Sequence, residues 1–175
     1  MVFQPDPRIA ETLARLPEGQ YEGDVWKHTL PGQPPTTANT RGARWNPPEA
    51  PAVYVAMERG TALAEGQYLV ALQPQPIRGI RHIHRGTVKL SRVLDLRDRA
   101  TLQALGLSDA ELRSYDHTAC QRVGGTAEWL GIEALIVPSA RFDGANLVIF
   151  ERRSGADFEL RVIESEALDD LDTRE

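Results

Sequence analysis

At 175 residues the chain is long enough for one domain with a sizeable core, and its apolar and charged fractions, 41% and 26%, are those of an ordinary soluble globular protein. A formal net charge of −5 argues against a direct nucleic-acid binder, and the lack of any apolar run approaching ~18 residues excludes a spanning helix. The single cysteine, Cys120, excludes an internal disulfide and fits a reducing, cytoplasmic setting; the first residues have neither a basic start nor a continuous apolar stretch, so no secretory signal is expected.

Residues 6–16 predict a short helix that stops before Pro17 and Gly19. Residues 24–30 (DVWKHTL) predict a first strand. Residues 31–51 form a long loop of Pro, Gly, Thr and Asn that carries Arg41, Arg44 and Trp45. Loops of that length are usually functional or disordered, and disordered segments seldom carry Trp, so function is the better reading. Residues 52–57 (AVYVAM) predict a buried strand containing Tyr54, and residues 61–72 a helix containing Glu65, ended by QPQP.

Residues 77–96 predict two strands. Between Gly66 and Leu94 they carry Arg78, Arg81, Arg85, Lys89 and Arg92 and no acid, which reads as a solvated strand face more than a phosphate-attracting surface. His82 and His84 have metal-ligand spacing without a third ligand, so the same solvated reading holds and no metal is expected. Residues 107–115 open a helix with a capping pattern, Ser108 and then Glu111, and residues 116–130 continue as helix with Gly124-Gly125 as a weak spot. Residues 133–139 and 145–151 predict strands joined by a turn at Asp143-Gly144, and residues 157–163 a last, alternating strand. An acidic tail, 164–175, follows the single domain at 1–163 and accounts for the whole net charge. The order predicts an α+β fold of mixed, largely antiparallel sheets with flanking helices.

Glu65 is the most informative side chain. On a helix it shares a face with Ala62, Leu69 and Leu72, and a carboxylate on an apolar stripe is costly unless it has a partner or a task. Arg44 lies in RGARWNPP, where Gly42 and Ala43 let the backbone approach a ligand and a guanidinium can grip phosphate or carboxylate with two prongs; an arginine stacked on Trp45 is the bland alternative. Tyr54 could stack on a flat heterocycle or be plain core. Ser139 ends a buried strand without the G-x-S-x-G context of a hydrolase nucleophile, and Asn146 and Gln121 are further polar candidates.

Taken in order, RGARWNPP around Arg44, AVYVA with Tyr54, ALAEGQY with Glu65, VLDL (93–96) and IVPSARFDGANLVIF (136–150) with Ser139 and Asn146 resemble the RES-domain family over residues 24–151. The resemblance implies an ADP-ribosyltransferase-like fold and the toxin half of a toxin–antitoxin pair that consumes NAD as its substrate. The acceptor would be water, phosphate or a protein. It implies an Xre-like DNA-binding antitoxin as partner; a homodimer stays open. Carried over residue by residue, it gives Glu65 the stabilisation of charge on the ribose. Arg44, with Lys27 or Arg41, would hold the diphosphate, Tyr54 would pack on nicotinamide, and Ser139 would orient nicotinamide or its ribose, with Asn146 beside them. Two positions depart from the family pattern: Ala43 stands where glycine is common, and Lys27-His28 where many members have arginine. Lysine keeps the charge but loses the fork, so a scaffold that binds NAD without turning it over is the non-enzymatic alternative.

Overall fold

Five strands close into a barrel, and its seam makes the cleft described below. The computed structural model describes residues 3–153 and 161–168. In chain order these form α1 (Pro7–Ala14), β1 (Gly19–Thr29), β2 (Ala52–Ala56), α2 (Arg59–Ala71), β3 (Arg81–Asp95), α3 (Arg99–Ala104), α4 (Asp109–Arg113), α5 (Thr118–Trp129), β4 (Ala134–Pro138), β5 (Ala145–Phe150) and β6 (Arg161–Leu168). The strand order is β1-β2-β5-β4-β3-β6, and β3 also pairs with β1, which closes the ring. Every pairing is antiparallel except β3–β4. The expected α+β mixture and antiparallel bias are therefore present, but in one closed sheet and not in several.

Alternation along the strands separates two cores. Val25, Val53, Val55, Val88, Leu90 and Leu147 fill the barrel. Leu94, Leu96, Leu135, Val137, Val148 and Phe150 face outward onto Leu13, Val123 and Trp45. Strand β4 (ALIVP) is buried on both faces for this reason, which explains its continuous apolar run.

The stretch expected as two strands is the single 15-residue β3. Gly86 does not interrupt it; a register shift against β6 falls there, between Arg85 and Gly86. The basic run is largely answered across the β1–β3 ladder: Arg85 binds Asp24 at 2.5 Å, Lys89 binds Glu22 at 3.4 Å and Arg92 binds Glu18 at 2.6 Å. His82 and His84 stack on each other, and His84 bridges Thr29 and Ser165.

Of the last predicted strand, residues 157–160 lie outside the described residues. The observed strand runs to Leu168, into the expected acidic tail, because its acids meet bases: Glu164 is opposite Arg85, and Glu166 pairs with Arg59 at 3.0 Å. Residues 169–175 lie outside the described residues. Helix α3 has no counterpart in the sequence reading; Asp98 caps it by accepting from Thr101 N at 2.9 Å. The Ser108–Glu111 capping box at α4 is present in both directions. Among the described residues no helix is long and apolar enough to cross a membrane.

Candidate active site

Strands β1 and β2 touch at one register pair, Trp26 with Ala56, and otherwise splay. The gap, roofed by α2 and the 31–51 loop, is a cleft of about 630 Å³, the size range of small-molecule and cofactor sites. Lys27, Arg41, Tyr54, Glu65, Tyr68 and Asn146 all line it.

The loop is pinned by buried side chains and their hydrogen bonds. Trp45 and Asn46 are buried. The Asn46 amide donates to Asn39 O and Pro47 O, and its Oδ1 accepts from the Tyr54 hydroxyl at 2.9 Å. The same hydroxyl accepts from Trp45 N at 2.9 Å, and Gln121 donates to Ala43 O at 2.9 Å. Gly124 of α5 lets the loop lie flush on the helix, since a Cβ there would sit 1.6 Å from Trp45 O. The glycine pair read as a helix weak spot is thus the seat of the loop. Tyr54 is half-buried and its phenol is held well above the ordinary range by desolvation, so it offers the cleft its ring while its hydroxyl stays with the loop.

Helix α2 brings Glu65 to the cleft because Gly66 meets His28 closely: a Cβ at Gly66 would come within 2.2 Å of the imidazole. The apolar stripe that carries Glu65 lines the cleft. Ala62 is buried, but Leu69 and Leu72 are exposed, Leu72 by 54%. Glu65 Oε1 accepts from Ser139 Oγ at 2.6 Å and from Asn146 Nδ2 at 2.9 Å. Ser139 Oγ itself accepts from Arg141 N and Phe142 N, at 3.1 and 3.2 Å, so its own proton is committed to Glu65. Oε2 takes no hydrogen bond from the described residues. A carboxylate is therefore fixed through one oxygen and left with the other.

Lys27 sits at the splayed seam and donates to the carbonyl of Tyr54 at 2.7 Å; burial brings its ammonium down to about 8. His28 is brought down to about 4, by burial first and then by Arg81, His84 and Lys27, and is neutral at pH 7. Arg44 is not among the residues that line the cleft; it donates to Ser114 O at 3.1 Å and lies near Tyr68 and His117. Ser139 reaches the cleft only through Glu65. Sequence reasoning missed Tyr68 and Arg141. Tyr68 follows Glu65 by three residues on the same helix face, and Arg141 stacks on its ring at 3.6 Å.

A family model described as the RES domain matches residues 12–170. NAD(+) phosphorylase MbcT of Mycobacterium bovis is 29% identical over 118 residues, 65% of this chain and 63% of the relative, and MbcT of Mycobacterium tuberculosis strain H37Rv matches to the same extent. The match thus spans less than two thirds of those relatives' length. The crystal structure of the M. tuberculosis MbcT–MbcA toxin–antitoxin complex superposes with a TM-score of 0.78 at 23% identity, covering 93% of each chain, and shares the fold.

Proposed function

The chain belongs to the RES-domain family, and from that premise we propose that it is an NAD-consuming toxin that breaks the nicotinamide–ribose bond by phosphorolysis. The observation that carries the reading is the fixed Glu65 carboxylate in a dinucleotide-sized cleft that also presents the cations Lys27 and Arg41. The names of the MbcT relatives support phosphate as the acceptor, out of the three that the sequence left open.

The C1′–N bond of NAD breaks with its electron pair going to nicotinamide, which leaves neutral, and positive charge builds on the ribose. Glu65 stabilises that charge across the cleft, and its Oε2 is available to a ribose hydroxyl. Ser139 and Asn146 stop the carboxylate from rotating away, so Ser139 acts through Glu65 and not on nicotinamide directly. Lys27 and Arg41 face the diphosphate. The Tyr54 ring supplies a flat apolar wall for nicotinamide. An oxygen of inorganic phosphate then bonds to C1′, giving ADP-ribose 1″-phosphate, in the ADP-ribosyltransferase-like use of the site that the resemblance implies.

The proposal extends to a neutralising partner, an Xre-like DNA-binding antitoxin seated over the mouth, where Leu69 and Leu72 of the cleft wall are exposed by 39% and 54%. Purified protein incubated with NAD and inorganic phosphate should release nicotinamide and ADP-ribose 1″-phosphate in equal amounts, read by mass spectrometry. NAD recovered intact would overturn the reading.

A further inference from the structure

Several arginines are paired: Arg85 and Arg92 on β3, Arg59 on α2 and Arg97 just after β3 each hold a carboxylate within 3.0 Å. Beside Tyr68, which lines the cleft, two arginines are not paired in this way. Arg44 and Arg141 approach the same two side chains, Tyr68 and His117, and neither has a carboxylate within 4.0 Å among the described residues. Burial, then Arg44 and Arg141, hold His117 below the usual imidazole range. The acid in this neighbourhood, Asp116, is engaged with Thr118 N at 2.9 Å. Two guanidinium groups near one tyrosine, with no carboxylate in contact with either, are a ready anion site.

The position of this pair relative to Glu65 is fixed twice. Tyr68, which carries Arg141 over its ring at 3.6 Å, lies one turn along α2 from Glu65. Arg141 N binds the same Ser139 hydroxyl that binds Glu65. The arginine is thus tied to the carboxylate twice, through its side chain on Tyr68 and through its backbone at Ser139. The cations that face the cleft interior, Lys27 and Arg41, are a separate pair on β1 and the loop. One cationic pair within the cleft and another beside its Tyr68 wall suit two anions.

We propose that Arg141, stacked on Tyr68 and seconded by Arg44, binds the inorganic phosphate that attacks the ribose, while Lys27 and Arg41 serve the diphosphate of NAD. The inference rests on the phosphorolysis reading. It assigns Arg141 the choice of acceptor: phosphate held there presents an oxygen to C1′ as the bond to nicotinamide breaks, and no proton need move in that step when the dianion attacks. Without the arginine, water reaches C1′ instead, loses a proton and gives ADP-ribose.

Steady-state kinetics of the full chain with phosphate and NAD varied independently, on wild type, R141A and R141K, test this. R141A should raise the KM for phosphate at least about tenfold, leave that for NAD within about twofold and shift product toward ADP-ribose, with R141K intermediate because lysine keeps charge without the fork. A rise confined to the KM for NAD would mean that Arg141 holds the dinucleotide, and unchanged constants would mean that it holds neither; each overturns the inference while phosphorolysis by wild type stands. If wild type consumes no NAD, the phosphorolysis reading falls, and thermal melting in phosphate against chloride at equal ionic strength decides the site: stabilisation by phosphate that R141A loses supports it, and no stabilisation of wild type overturns it.

Discussion

At the scale of single residues the account turns on how Glu65 is held. Its Oε1 takes two donors, and the Ser139 proton has no other acceptor among the described residues because two backbone amides already occupy its oxygen. Ser139→Ala should therefore lower turnover about 10-fold or more, the scale of one hydrogen bond to a charged group, and change NAD affinity far less. A variant with full turnover would show that the bond is ornamental. His28 supplies a pH signature. Its folded value near 4 lies below the ordinary 6.5, so between those values the unfolded chain binds a proton that the folded chain refuses. Stability falls as pH drops through that window, and His28→Asn should flatten the fall, measured as urea midpoints at pH 7, 5 and 4; an equal fall in both proteins would contradict the assignment. Glu65 was legible in the sequence because a carboxylate among Ala62, Leu69 and Leu72 is anomalous. The direction in which Arg44 points was not, because its target, Ser114 O, lies 70 positions away on a loop.

At the scale of elements, two glycines set the cleft. Gly124 receives Trp45 O and Gly66 receives the His28 ring. Gly124→Ala forces backbone to move, and overpacking of this kind costs about 1–3 kcal/mol, so the melting temperature should drop by at least about 3 °C. Gly66→Ala should cost a similar amount and also reduce turnover, because it lifts α2 and Glu65 with it; a melting curve and rate that match wild type would refute the packing argument. Strands β2, β4 and β5 were readable from short apolar runs, and α4 from its capping box. The unbroken β3 was not, since a glycine amid basic residues looks like a turn until its partners on β1 and β6 are known. Helix α3, six residues long, has too little periodicity to register.

At the scale of the molecule, closure of the barrel is what makes the site. β3 pairs with both β1 and β4, so β1 is drawn round toward β2 but meets it at one pair, and the remaining gap is the cleft. No local pattern announces a closed ring, which is why the sequence led to several sheets. Outside the ring, β6 lays Glu164 and Glu166 of the acidic C-terminal excess along the basic edge of β3. The ordered motif set from Arg44 to Asn146 was legible because its pieces keep family spacing; that Ser139 and Asn146 converge on the Glu65 carboxylate required the fold. The most direct test of the whole is Glu65→Gln, with NAD binding followed by calorimetry and NAD loss followed by nicotinamide release. The account predicts an affinity within about threefold of wild type and turnover reduced by about 100-fold or more, since the substitution keeps shape and removes charge. Nicotinamide release at the wild-type rate would contradict it.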